Sequence, residues 1–195
     1  METFVAKKMM TLGLNYSVLA DRVVLFHNAL GDSLLVTTMA DEGEWRSNQR
    51  DNYDDGVTRR YEQDIEITKS LPFGKSVLED LNIVLKTYAS LINSPAHDGR
   101  DTIVGEMWLA HVSKYVLGGY IVPHRDEDYT SDNGIYTCIV YLNEDYTGGH
   151  VGFTDFNVEI KPSIGDILMF PSYYMHYGTP VTSGSKYMAI SRLEF

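Results

Sequence analysis

Residues 135–170 read IYTCIVYLNEDYTGGHVGFTDFNVEIKPSIGDILMF. Two apolar runs, Ile135–Leu142 and Asp166–Phe170, each have the length of a buried strand, and turn residues bound them. Between them lie Gly148-Gly149, two three-residue stretches (Val151–Phe153 and Val158–Ile160), and a Pro162-to-Gly165 turn. The same texture continues outward in both directions. Upstream come Ile103–Val116 and Tyr120–Pro123, parted by Gly118-Gly119; Asp132-Asn133-Gly134 leads into Ile135. Downstream come Tyr174–His176 and Lys186–Leu193, parted by Ser183-Gly184. Short strands at this spacing predict a two-sheet β-sandwich or barrel, not alternating strand–helix–strand units.

Before residue 101 the pattern differs. From Phe73 to Ile92 the apolar residues Val77, Leu78, Leu81, Val84, Leu85, Tyr88, Leu91 and Ile92 recur at helical spacing. Pro72 suits the first turn and Asn93-Ser94-Pro95 the stop, so a helix covering one face of a sheet is expected. A strand over Arg22–Phe26, a shorter helix over Asp32–Met39 and a polar loop over Asp41–Gly56 complete this half. The expected class is mainly β with flanking helices (α+β). One domain spans 1–195: a helix-and-loop support region over 1–102 and a β core over 103–195.

Composition narrows the function. The chain has 195 residues, 44% hydrophobic and 22% charged, which are globular values. Sixteen Lys and Arg against 27 Asp and Glu give a net charge of −11. Nucleic acid and anionic membranes are therefore not expected partners. The single cysteine, Cys138, excludes an internal disulfide and any multi-cysteine metal site, and is read as a buried thiol. No run approaches the roughly 20 apolar residues of a membrane span. Residues 1–14 hold no long apolar stretch ahead of a small-residue cleavage site, so a soluble, cytoplasmic protein is expected.

Six histidines stand at 27, 97, 111, 124, 150 and 176. His124 has Asp126 two residues on; on extended chain both point to one face about 6–7 Å apart. His176 follows the strand Ile167–Phe170 and a Pro-Ser turn. Two imidazoles and one carboxylate fill one face of an octahedron and leave three positions open, which suits non-haem Fe(II); a structural zinc would want four closed ligands. Lys186 lies in a predicted strand. Facing inward it would be a costly unpaired charge unless a ligand carboxylate met it; facing outward it would meet solvent. Period-2 alternation allows either.

Four segments together resemble the Fe(II)- and 2-oxoglutarate-dependent dioxygenases, in the prolyl-4-hydroxylase-like branch. They are Tyr115-Val-Leu-Gly-Gly-Tyr-Ile-Val-Pro-His124-Arg-Asp126, Thr137-Cys-Ile-Val-Tyr141-Leu-Asn143 with Gly148-Gly149, Lys161-Pro-Ser-Ile-Gly165-Asp166-Ile-Leu-Met-Phe170-Pro171, and His176-Tyr-Gly-Thr-Pro180-Val181-Thr-Ser-Gly184-Ser-Lys186-Tyr187. The resemblance covers about Tyr115 to Arg192. It implies a double-stranded β-helix, a jelly-roll or cupin-like core with helices packed on one sheet. It implies that His124, Asp126 and His176 hold Fe(II), that Lys186 binds the distal carboxylate of 2-oxoglutarate, and that Tyr141 and Tyr115 donate to the cosubstrate. It further implies O2 as a cosubstrate and allows ascorbate as an accessory reductant. The implied reaction is hydroxylation of an unactivated C–H bond, first of a peptidyl proline, next of a free amino acid or small molecule. One departure stands out: where many members have Gly-Gly-Glu-Thr, this chain has Gly148-Gly149-His150-Val151. His150 reads as a surface residue and Arg192 as a structural ion pair, with a substrate contact and a cosubstrate contact as their respective alternatives. The acidic run Asp126-Glu-Asp-Tyr-Thr-Ser-Asp132 reads as a solvated loop beside the iron. A non-catalytic jelly-roll binding module, or a cupin-type metalloenzyme without a cosubstrate, would share the fold but release no succinate.

Overall fold

The computed structural model describes residues 14–30, 46–47, 61–63, 75–92, 108–126 and 135–194. The predicted helix over Asp32–Met39, the acidic stretch after Asp126 and His97 lie outside the described residues. Fourteen strands and one helix are described. They are β1 (Asn15–Ala20), β2 (Val23–His27), β3 (Arg46–Ser47), β4 (Tyr61–Gln63), α1 (Lys75–Leu91), β5 (Trp108–Tyr115), β6 (Ile121–His124), β7 (Ile135–Tyr141), β8 (Thr147–Gly148), β9 (Val151–Phe153), β10 (Val158–Ile160), β11 (Ile167–Pro171), β12 (His176–Gly178), β13 (Val181–Ser183) and β14 (Lys186–Glu194).

Eight strands form one sheet in the order β1-β2-β11-β7-β14-β5-β4-β3, and four form a second, β10-β9-β12-β6; β13 and β8 pair separately. All pairings are antiparallel. Long crossovers place β2 beside β11 and β7 beside both β11 and β14, as a jelly roll requires. Pro123 sits in β6, an edge strand of the smaller sheet, where the ladder does not need its missing N–H.

Alternation along the central strands sorts the core into two layers. On β7, Tyr136, Cys138 and Val140 face α1; on β11 Ile167 and Met169 do, and on β14 Tyr187 and Ala189. These pack on Leu81, Val84, Leu85 and Tyr88 of the helix, as its periodicity predicts, with Tyr88 edge-on to Tyr136. The opposite residues, Ile139, Tyr141, Leu168, Phe170, Met188 and Ile190, pack with Ile121, Val151 and Phe153 of the smaller sheet. Cys138 is buried on the helix side, and burial pushes its thiol up to about 12, so it stays an inert hydrophobe.

The structure corrects several expectations. The strand expected over Arg22–Phe26 is β2; β1, which was not expected, joins it in the large sheet because the Asp21-Arg22 turn folds Asn15–Ala20 back on β2. Arg46–Ser47, within the expected polar loop, is a short strand on β4. The segment read as a strand over Tyr174–His176 begins only at His176, because the Tyr174 N–H turns back onto the Pro171 carbonyl. Among the described residues no helix is long and apolar enough to cross a membrane.

Candidate metal and cosubstrate site

The space between the two sheets opens into a cleft of about 820 Å³, mouth included. His124, Asp126, His176, Lys186, Tyr141 and Tyr115 all line it.

At one part of the cleft, His124 and His176 are cross-strand neighbours on β6 and β12, their ring centroids 4.3 Å apart. Each ring lies 3.0 Å through Nδ1 from the backbone carbonyl two residues earlier, Val122 for His124 and Tyr174 for His176. A carbonyl only accepts, so Nδ1 carries the proton in both and Nε2 is turned inward. Asp126 lies beyond β6, held in line by its N–H on the Ser172 carbonyl at 3.0 Å. Its Oδ1 is 3.5 Å from His124 Nε2 and its Oδ2 3.7 Å from His176 Nε2. One ligand atom from each of the three lies within 4.8 Å of the others.

The charges tell what this cluster fits. Burial holds the His176 imidazole down, at about 4, so it is neutral at pH 7. Burial alone would raise the Asp126 carboxyl, but the neighbouring histidines, Arg192 and the Thr137 hydroxyl outweigh it and keep the group well below the usual carboxylate range. A bare imidazole nitrogen therefore faces an ionised carboxylate oxygen with no proton between them. Two lone-pair donors so placed repel unless a cation joins them, and the donor set, two nitrogens and one oxygen, suits ferrous iron.

Elsewhere on the same cleft Lys186 is buried, 4% exposed. Antiparallel pairing puts Lys186, Met188, Ile190 and Arg192 of β14 on the inner face, which settles the orientation that alternation left open. Its Nζ donates to the Gly149 carbonyl at 2.7 Å and lies 5.3, 5.9 and 6.0 Å from the ring centroids of Tyr141, Tyr115 and Tyr146. Among the described residues no carboxylate pairs with it. Burial drops its ammonium to about 7. The Tyr141 and Tyr146 hydroxyls are buried with no hydrogen-bond partner among the described residues. A buried cation beside orphaned donors is a site awaiting an anion. Gly149 (φ +62°) is needed here: a Cβ would come within 3.1 Å of the Tyr146 ring and 3.3 Å of Lys186 Cδ. Asn143 fixes the start of β14, donating to the Ser185 carbonyl at 2.7 Å and accepting from the Tyr187 N–H at 2.8 Å, so it brackets Lys186.

The remaining candidates fall elsewhere. His150 is exposed and pairs with Glu159 at 3.0 Å, outside the cleft lining. His27 bonds Ser17 Oγ at 2.8 Å, also outside the lining, and His111 belongs to β5. Arg192 Nη2 sits 3.0 Å from Asp126 Oδ1, an ion pair. Sequence reasoning gave no role to Tyr146, Thr137 or Ser172. Thr137 shares the inner face of β7 with Ile139 and Tyr141, so a hydroxyl among apolar inward residues was the available signal.

Residues 110–192 match the family model described as the 2OG-Fe(II) oxygenase superfamily, a span that contains all of these cleft residues. A protein of Acanthamoeba polyphaga mimivirus, provisionally named a prolyl 4-hydroxylase, is 27% identical over 151 residues, 67% of this chain and 56% of that protein. The chain spans about half the length, or less, of the curated relatives it matches. Among solved structures, a viral collagen prolyl hydroxylase from Paramecium Bursaria Chlorella virus-1, in its 2OG complex, aligns with a TM-score of 0.52 at 21% identity, covering 91% of this chain and 98% of that one. A Trichoplax adhaerens prolyl hydroxylase in complex with a hypoxia inducible factor oxygen degradation domain peptide fragment aligns with a TM-score of 0.61 at 18% identity, covering 90% and 84%. These structures share the fold.

Proposed function

We propose that the chain, whose residues 110–192 match the 2OG-Fe(II) oxygenase superfamily model, hydroxylates an unactivated C–H bond in a reaction that consumes 2-oxoglutarate and O2, with a peptidyl proline as substrate. His124, Asp126 and His176 would hold Fe(II). Lys186 would grip the distal carboxylate of 2-oxoglutarate, with Tyr141 and Tyr115 donating to the cosubstrate. When bound, the metal supplies O2 activation coupled to oxidative decarboxylation of 2-oxoglutarate to succinate and CO2. The chain's own residues do the rest. The two Nδ1 hydrogen bonds fix both ring orientations and keep Nε2 available. Ile121, Ile139, Val151, Met188 and Ile190 add apolar wall between the metal cluster and Lys186, which would limit water around the reacting groups. We read residues 1–195 as one such unit, with β1 and β2 built into the core's larger sheet.

The observation that carries this reading is one cleft holding both a His-Asp-His cluster of metal-ligand geometry and a buried lysine that, among the described residues, has no carboxylate partner. The peptidyl-proline assignment draws on the prolyl hydroxylase names of the relatives. The test is incubation with Fe(II), 2-oxoglutarate and ascorbate against proline-containing peptides and free amino acids, followed by mass spectrometry. We expect peptide-dependent succinate release and a proline heavier by one oxygen atom. Unmodified peptides with stimulation by free amino acids alone would overturn the substrate; no 2-oxoglutarate turnover under any condition would overturn the reaction.

A further inference from the structure

A row of inward-facing residues crosses the floor of the metal cluster. Phe170 of β11, Thr137 of β7 and Arg192 of β14 are direct cross-strand partners. Each touches a different part of the cluster. Phe170 packs edge-on to the His176 ring at 4.8 Å. Arg192 holds Asp126 Oδ1 at 3.0 Å. The Thr137 hydroxyl reaches Asp126 Oδ2 at 2.6 Å.

The direction of the last contact is fixed by chemistry. An ionised carboxylate only accepts, so the single Thr137 proton goes to Asp126. The Ser172 hydroxyl, 2.8 Å from Thr137 Oγ1, must then donate to it. Both hydroxyl-bearing residues are fully buried. The result is a one-way relay, Ser172 to Thr137 to Asp126, in which each bond polarises the next. Ser172 also binds the Asp126 main chain, since its carbonyl takes the Asp126 N–H. Oxygen and backbone of one residue are thus anchored from a single turn after β11.

We infer that Thr137 is a positioning residue: its hydroxyl, oriented by Ser172, holds the Asp126 carboxylate in its metal-binding pose before any metal arrives. This rests on the proposed reading that Asp126 is a metal ligand. Without the hydroxyl, Oδ2 loses its donor and the carboxylate is held by Arg192 on one oxygen alone. Metal binding must then bear the cost of ordering it.

The test uses the full chain and Co(II) as a spectroscopic probe, with substitutions Thr137→Val, Thr137→Ser and Ser172→Ala. Valine keeps the branched shape and removes the hydroxyl. Thr137→Val is expected to bind Co(II) roughly 10- to 100-fold more weakly, the usual cost of losing a partner of a ligand, and to show an altered visible Co(II) spectrum. Thr137→Ser restores both affinity and spectrum, which a purely packing role would not do. Ser172→Ala leaves the hydroxyl in place but frees its rotation, so it shows a smaller loss in the same direction; this variant also serves if valine impairs folding. A folded Thr137→Val or Ser172→Ala with wild-type affinity and spectrum, or a Thr137→Ser as impaired as Thr137→Val, would overturn the positioning role. Wild-type protein that takes up no Co(II) would overturn the reading beneath it as well.

Discussion

Lys186→Met is expected to bind 2-oxoglutarate roughly a hundred- to ten-thousand-fold more weakly than the wild-type chain, because a buried carboxylate left without its cation costs about 3–5 kcal/mol. Titration calorimetry on the metal-loaded protein reads this directly. The pH dependence has a definite sign. The ammonium form binds the anion, and burial brings that ammonium down to about 7. Wild-type affinity therefore falls as pH rises above about 7, approaching tenfold per pH unit. The variant lacks this slope. Stability without the cosubstrate should move oppositely. The folded-state value lies below the ordinary 10.5, so between about 7 and 10.5 the unfolded chain binds more protons and wild-type stability rises with pH. Lys186→Met removes the buried charge and is expected to be more stable than wild type at and below neutral pH by denaturant melts. A loss of cosubstrate affinity under about fivefold would show that the anion is gripped elsewhere.

Asp126→Ala should abolish turnover with the fold intact, and its metal affinity should drop by more than the roughly 100-fold that loss of a ligand's partner can cost. Two effects add. The cluster loses its one charged ligand, and Arg192, 3.0 Å from the missing oxygen, loses the counter-charge it had there. Circular dichroism and Co(II) titration separate folding from binding. Retained turnover would reject the ligand assignment.

The sequence made much of this legible, for identifiable reasons. His124 and Asp126 share one face because they are two apart on extended chain, a purely local fact. Lys186 was different. Alternation showed that 186, 188, 190 and 192 share a face, but pairing of β14 with both β7 and β5 decides which face is inward. That pairing joins residues about fifty to eighty positions apart, beyond any local pattern. The strand at β2 was legible but its place in the sheet was not: it pairs with β11, across most of the chain. The late start of β12 was missed because Tyr173-Tyr174-Met175-His176 is apolar or aromatic throughout and shows no period. Thr137 and Ser172 lie 35 positions apart and meet only once β7 and β11 are paired.

The most direct measurement is anaerobic visible spectroscopy of the protein titrated with Fe(II) and then 2-oxoglutarate. A charge-transfer band should grow to one equivalent of each, persist at higher cosubstrate concentration in Lys186→Met, and be absent in His176→Ala. Iron uptake and a band unaffected by His176→Ala would place the metal elsewhere and contradict the account.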